Sequence, residues 1–481
     1  MRDRGSLFVP PLPLAGGGAD SAGGLAYNAP MLTDITEKEV QSEEERLLGR
    51  GQRYARVYLL TDCNNFFVSC ERLFRPDLED RPVLVLSNND GCVVARSQEV
   101  RDLGVPMGVA VFKIRELIER HHIVCFSSNF NLYLDISQRI MRTLETLCEE
   151  VEIYSVDEAF LVLHDVSEEE AEEMAFKVRK TIACHIGVPV SVGVATSKTL
   201  AKLASHHAKQ HLSETGGVYA VLNEVKRERL LRDNPVSEVW GVGRKLRERL
   251  NELQIETAYA LSRCDLKKMR RLFSIVLVNT IRELNGEDVI EEGGTEGQAQ
   301  IMWSRSFKER ITALSDLEVA LSSFTSEAAV RLRALKRYCR RVTVYLRTSL
   351  YGEGPHYAAE DTVLLDVPVA DTRVLTQAAL KILRRLYKPG FRYMKAGVIL
   401  TDFTARRTFQ GDLFRDSGEV DLKRLEEGDA LMALLDKLNA RERGTVYLGL
   451  AGAYAGDKRF THKKQLSRAY TTSFEELPVL M

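Results

Sequence analysis

The chain has 481 residues, of which 44% are hydrophobic, and 67 Lys and Arg face 68 Asp and Glu for a net charge of -1. At roughly 150 residues per domain this is too long for one core and points to about three or four units; the balanced charge excludes a uniformly basic protein, so any basic surface is local. The eight scattered cysteines (63, 70, 92, 125, 148, 184, 264 and 339) show no metal-ligand spacing and argue for reduced thiols and against structural zinc, and no apolar run reaches the roughly 18 to 20 residues of a bilayer span, so a soluble cytoplasmic protein with no membrane association is expected.

Residues 1–53 open with "VPPLPLAGGGADSAGG" and continue with Glu43, Glu44 and Glu45, a composition that predicts a flexible N-terminal extension with a short helix near its end. "RVYLLTD" predicts a strand ending on Asp62. In "NNFFVSCERLF", Phe66, Phe67, Cys70, Leu73 and Phe74 recur at helical spacing, with Asn64 or Asn65 as the cap. "RPVLVLSNN" and "GCVVARS" read as a hairpin turned through Asn89, Asp90 and Gly91. A helical "SQEVRDLGV" follows. "VEIYSVDEAFLVL", Val151 to Leu163, reads as two strands interrupted by Asp157 and Glu158. Next come a helix from about Glu168 to Cys184, the strand "VPVSVGVA" and a helix beginning at Ser197, "SKTLAKLASHHAKQ". This alternation predicts α/β or α+β architecture to about residue 235.

From Pro235 the pattern changes to helices joined by short turns, "VWGVGRKLRERLNEL", "DLKKMRRLF" and "SIVLVNTIREL", ending in a linker-like "EGGTEGQAQ". Residues 301–405 return to mixed strands ("RVTVYLRTS", "KAGVILTDF") and helices ("ALSSFTSEAAVRLRALKRYCRR", "LTQAALKILRRLY"). Lys and Arg outnumber Asp and Glu here, so this is the local basic region.

Asp62 at one strand end and Asp157 with Glu158 at the mouth of another are placed so that a mixed sheet brings them together. Like charges about 4 Å apart repel by roughly 4 kcal/mol at an effective dielectric near 20, so three clustered carboxylates require a cation. Magnesium suits oxygen donors shared with substrate phosphates, and two such ions can hold the attacking and leaving oxygens of a phosphoryl transfer. The alternative is an exposed hairpin turn, where Asp is common. Lys198 and Lys202, one turn apart, and Arg101 are candidate phosphate partners; the alternative for each is a solvated helix face.

"LLTDCNNFFVSCERLFRP", "VLVLSNNDGCVVARS", "CFSSNFNLY", "VEIYSVDEAF", "SVGVATSKTLAKLASHHAK" and "VWGVGRKL", in that order, resemble the Y-family translesion DNA polymerases; "SNNDGCVVAR" and "CFSSNF" favour the UmuC branch. The resemblance implies an α+β multidomain right hand: palm (54–70 and 120–235), fingers (71–119), helical thumb with a helix-hairpin-helix (236–297), little finger (301–405) and a C-terminal tail (406–481). It implies that Asp62, Asp157 and Glu158 are catalytic and, with the Cys63 carbonyl, bind two Mg2+. Phe67 matches the aromatic steric gate that rejects a ribose 2′-hydroxyl, while Arg101 and Lys198 match triphosphate contacts; Gln98 stands where other branches carry a phosphate-contacting Tyr.

Gly241 and Gly243 resemble the turn of a helix-hairpin-helix that holds a DNA phosphate on backbone N–H groups. Arg331, Arg333, Lys336, Arg337, Arg340 and Arg341, on or just after one helix, are expected to grip the DNA backbone. "QGDLF" resembles the peptide by which bacterial polymerases dock on the sliding clamp, through Gln410, Leu413 and Phe414. The implied activity is error-prone, template-directed synthesis in the SOS response, with primer-template DNA, dNTPs, the sliding clamp, a UmuD′ dimer and RecA as partners. A palm-fold nucleotidyl cyclase would lack the helix-hairpin-helix and basic C-terminal unit, and a non-catalytic translesion scaffold would have lost the acids.

Overall fold

The computed structural model describes residues 52–290, 299–349, 354–405, 422–441, 446–454, 465–471 and 473–477. The predicted extension, apart from its last two residues, and the peptide Gln410–Phe414 lie outside them. Among the described residues no helix is long and apolar enough to cross a membrane, and all eight cysteines are free.

In chain order, β1 (Arg53–Cys63) leads into α1 (Phe66–Arg72), then β2 (Val83–Leu86), β3 (Val93–Arg96), α2 (Gln98–Asp102), β4 (Val124–Ser127) and α3 (Phe130–Glu145). β5 (Val151–Ile153), β6 (Glu158–Ser167), α4 (Glu168–His185), β7 (Val190–Ala195), α5 (Lys198–Gln210) and β8 (Val218–Val221) follow. The large sheet has the order β5-β6-β1-β7-β8, with β1 central and antiparallel to β6 and β7. Both faces of β1 are covered, which is why its sequence is apolar at both parities. Val57 and Leu59 enter the core shared with α3 and α4, whereas Tyr58 and Leu60 enter the core shared with α5 and the helices beyond residue 235.

The helix starts are set by side chains. Ser167 and Glu170 form a reciprocal capping box at α4, and Ser197 Oγ accepts the Leu200 N–H at α5. Neither asparagine caps α1: Asn65 begins it in a left-handed conformation, and its side chain turns elsewhere. Gly193 lets α5 lie against β7, because a Cβ there would stand 2.1 Å from the Ser205 nitrogen.

A three-stranded sheet, β3-β2-β4, contains the predicted hairpin; β4 pairs parallel to β2. The chain as far as Ser127 therefore belongs with this sheet, beyond the residue 119 limit read from the sequence. α6 (Arg244–Glu252), two short helices and α7 (Ile275–Leu284) share the second core through Leu250, Met269 and Ile281.

Beyond them β9 (Gln300–Ile311), α8 (Leu314–Ala334), β10 (Tyr338–Thr348), β11 (Ala358–Val369), α9 (Thr372–Leu386) and β12 (Tyr393–Thr404) form an antiparallel sheet of order β11-β10-β12-β9 with its own core. β9 and β11 were not anticipated. Charged residues interrupt both, as in "SFKERI" and "AAEDTV", and mask the period of two.

The segment after 405 is more than the tail the sequence indicated. α10 (Leu422–Arg441) docks on the four-stranded unit through Asp436, which accepts from Arg333 at 2.6 and 2.7 Å, and through Asp429, which accepts from the Tyr338 hydroxyl at 3.2 Å. Residues 465–471 return to β4.

Candidate active site

β1 and β6 bring the acids together. Asp62 is the cross-strand partner of Glu158, and Asp157 is tied to the same place by its carbonyl, which accepts the Cys63 N–H at 2.9 Å. Ser155 shapes the intervening turn: its hydroxyl donates to Asp157 Oδ1 at 2.6 Å and accepts the Glu158 N–H at 3.1 Å. The predicted hairpin turn and the predicted acid cluster are thus the same structure.

Two lysines of α5 offset this negative charge. Lys202 Nζ lies 2.9 and 3.1 Å from the Glu158 oxygens, and Lys209 Nζ lies 3.0 Å from Asp62 Oδ1. Lys202 is also 4.2 Å from the Tyr154 ring centre and 5.4 Å from that of Trp240, so aromatic faces steady its ammonium. Burial raises the Glu158 carboxyl above its usual range against the opposing pull of Lys202, and the charges of Asp62 and Asp157 raise it further. Among the described residues no three His, Cys, Asp or Glu side chains are grouped closely enough to hold an ion as they stand.

A pocket opens beside the acids, lined by Cys63, Phe67, Arg96, Arg101, Asp157 and Lys209, with Met107 on its rim. Phe67 is backed by Tyr133, stacked at 4.4 Å and 15°, and meets Phe130 edge-on at 6.0 Å. Arg101 donates to Asn65 Oδ1 at 3.1 Å, so the left-handed residue that opens α1 also orients an arginine. Arg96 donates to the Val105 carbonyl. Gln98 donates to Asp102 on its own helix.

Lys198 is not in this pocket. Its side chain is 2% exposed and pairs with Glu152 of β5 at 2.5 Å, over the rings of Tyr58 and Phe160. Lys209 lines the pocket instead. Arg96 was likewise overlooked, although it lies five residues before Arg101 in the same motif.

The expected DNA-binding residues separate. Gly241 has φ +89°, and Gly243 precedes α6 without a capping side chain, leaving the first-turn N–H groups of α6 uncapped. Arg331, Lys336, Arg340 and Arg341 are exposed and Arg337 is half-buried, but only Arg331 and Arg333 are on α8; Arg340 and Arg341 are on β10. Arg333 is withdrawn from solvent: besides Asp436 it binds the Ala370 carbonyl and the Thr372 hydroxyl.

The sequence matches the family model "impB/mucB/samB family" over residues 61–206 and that family's C-terminal domain model over 298–413. It is 41% identical to "Protein UmuC" of Salmonella typhimurium over 426 residues, 88% of this chain and 99% of that protein. The chain belongs to the impB/mucB/samB family. "Protein ImpB" of Salmonella typhimurium is 39% identical over 88% of the chain and 99% of its own length. A further match, over 429–480, is to a domain of unknown function. The fold is that of the "Y-family DNA polymerase chimera Dbh-Dpo4(243-245)-Dbh", at TM-score 0.61 and 20% identity over 73% of this chain and all of that one. The chain is accordingly a UmuC-like Y-family member, a DNA-directed DNA polymerase of the translesion class. Membership implies use of a divalent metal.

Proposed function

We propose that error-prone nucleotidyl transfer in the SOS response takes place between Asp62, Asp157 and Glu158 and the cations Arg96, Arg101 and Lys209. The observation that carries this is the direct pairing of Asp62 with Glu158 beside a pocket lined by all three cations. Carboxylates on one side and cations on the other suit a triphosphate whose reacting end faces the acids.

The acids supply hard oxygen donors suited to Mg2+, and burial, with a smaller push from the charges of Asp62 and Asp157, raises the Glu158 carboxyl. Asp62, Asp157, Glu158 and the Cys63 carbonyl would hold two ions. The Cys63 thiol is not a donor, because burial and the neighbouring acids keep it protonated. When bound, the ions supply Lewis-acid stabilisation of the transferring phosphoryl group and acidify the primer hydroxyl. The protein's own part is to aim the carboxylates, hold the triphosphate on Arg96, Arg101 and Lys209, and place Phe67 beneath the sugar as the gate against a 2′-hydroxyl.

In this reading the large sheet with α1, α3, α4 and α5 is the palm, β2-β3-β4 through Ser127 the fingers, 235–290 the thumb and 299–405 the little finger. The N–H groups at the start of α6, following Gly241 and Gly243, suit a DNA phosphate. Arg331, Lys336, Arg337, Arg340 and Arg341 remain available to the backbone, whereas Arg333 serves the docking of α10. Primer extension by the purified full chain on damaged and undamaged templates, with and without a UmuD′ dimer and RecA, tests this function. Insertion opposite a lesion, stimulated by those partners, is expected; absence of template-directed insertion under every condition overturns it.

Gln410, Leu413 and Phe414 are assigned to the sliding clamp. Replacing Leu413 and Phe414 with Ala is expected to leave short synthesis by the free enzyme unchanged and to remove the stimulation given by a loaded clamp, since an apolar pair filling a pocket dominates such contacts. Equal loss with and without the clamp would return the pair to the fold.

A further inference from the structure

Residues 465–471, within the stretch matched by the domain of unknown function, close onto the two helices that frame Phe67. The Ser127 N–H donates to the Gln465 carbonyl at 2.9 Å, and the Gln465 N–H donates to Ser127 Oγ at 3.0 Å. Leu466 thereby bridges in parallel to the edge strand β4. Asn129, the N-cap of α3, accepts the Leu132 N–H and donates its amide to Ser467 Oγ at 3.0 Å. Tyr470 stacks on Phe74 just after α1, at 4.6 Å and 6°.

The connection then runs inward. The Ser467 hydroxyl donates to Glu71 Oε1 at 3.1 Å, and the Tyr133 hydroxyl donates to the same oxygen at 2.7 Å. Glu71 is 0% exposed and stands one helical turn after Phe67 on α1. Tyr133 is the residue whose ring stacks on Phe67. Burial raises the Glu71 carboxyl, and the hydroxyls of Tyr133 and Ser467 draw it back down; its other oxygen has no partner among the described residues. A buried carboxyl with so few hydrogen bonds is sensitive to losing one.

We infer that residues 465–471 are a positioning device for Phe67: Ser467 fixes Glu71 and thereby Tyr133, Tyr470 fixes the end of α1, and together they set the ring that discriminates deoxyribonucleotides from ribonucleotides. This rests on Phe67 being the sugar gate. A segment serving stability alone would affect all nucleotides equally, whereas a positioning segment changes the choice between sugars.

The test is steady-state insertion of matched dNTPs and rNTPs by full-length Ser467→Ala and Tyr470→Ala chains, with Ser467→Thr, Tyr470→Phe and Phe67→Ala in parallel. The dNTP-over-rNTP ratio of kcat/KM is expected to fall about 3- to 10-fold in each Ala variant of the segment, the effect of one lost hydrogen bond or ring contact, while dNTP insertion changes less than about twofold. Ser467→Thr, which keeps the hydroxyl, and Tyr470→Phe, which keeps the ring, are expected to retain the ratio. Adding Ser467→Ala to Phe67→Ala is expected to cause no further fall, because both act on one ring. If Phe67→Ala lowers the ratio but the segment variants do not, this inference fails alone; if Phe67→Ala leaves the ratio unchanged, the gate reading itself fails. Should Tyr470→Ala be unstable, Ser467→Ala, which removes a single oxygen, decides the matter.

Discussion

Replacing Asp157 with Asn is expected to lower nucleotide insertion by about 1,000-fold or more while leaving primer-template affinity within about twofold. The substitution is nearly isosteric. The backbone carbonyl of residue 157 still accepts the Cys63 N–H and the side-chain oxygen can still accept from Ser155, so the turn that presents Glu158 is kept. What is lost is one negative charge where, in the proposed reading, charge on the transferring group is stabilised. DNA affinity is proposed to rest on cations of a different unit. Single-turnover insertion and anisotropy titration over a range of salt separate the two quantities, and near-normal insertion by the variant would remove Asp157 from the mechanism.

The second large effect separates two lysines of one helix. Lys209→Ala is expected to raise the dNTP KM about 10- to 100-fold, since a charge-assisted contact to a phosphate is lost, with little change in melting temperature. Lys198→Ala is expected to do the reverse. Its ammonium is buried against Glu152, and removing it leaves that carboxylate uncompensated at a cost of about 2 to 3 kcal/mol, below the usual value for a buried pair because Glu152 retains some contact with water. Thermal unfolding beside dNTP titration gives both numbers. An unchanged KM for Lys209→Ala would remove it from the triphosphate site.

That pair also shows where the sequence stops being legible. Lys198, Lys202 and Lys209 recur near multiples of a helical turn and so lie on one face of α5. Phase cannot separate them. What does is position along the axis: eleven residues at 1.5 Å rise put Lys198 and Lys209 about 16 Å apart, one against Glu152 of β5 and the other over the end of β1. The acids were legible for the opposite reason, because strand ends and a hairpin turn place residues by local rules, and Asp62 opposite Glu158 follows from them. Arg333 was misread because the residue that covers it, Asp436, lies more than a hundred positions away. Glu71 was overlooked as well: inside "VSCERLF" it reads as a solvated residue, and nothing local announces that Tyr133 and Ser467 will surround it.

The docking of α10 bears on how the enzyme would ride a clamp. Gln410 lies five residues beyond Ala405, the residue that follows β12, and Phe414 lies eight residues before Leu422, the first residue of α10. Asp429 and Asp436 fasten α10 to the same unit that β12 belongs to, so the chain is anchored to one unit on either side of this segment. Five residues extend at most about 18 Å, which bounds how far a seated Gln410 can stand from the sheet. Under the proposed assignment of Gln410, Leu413 and Phe414, a clamp seated there would hold the four-stranded unit close to its own face, and any tilting of the ring would be passed on to that unit as a lever passes on a push.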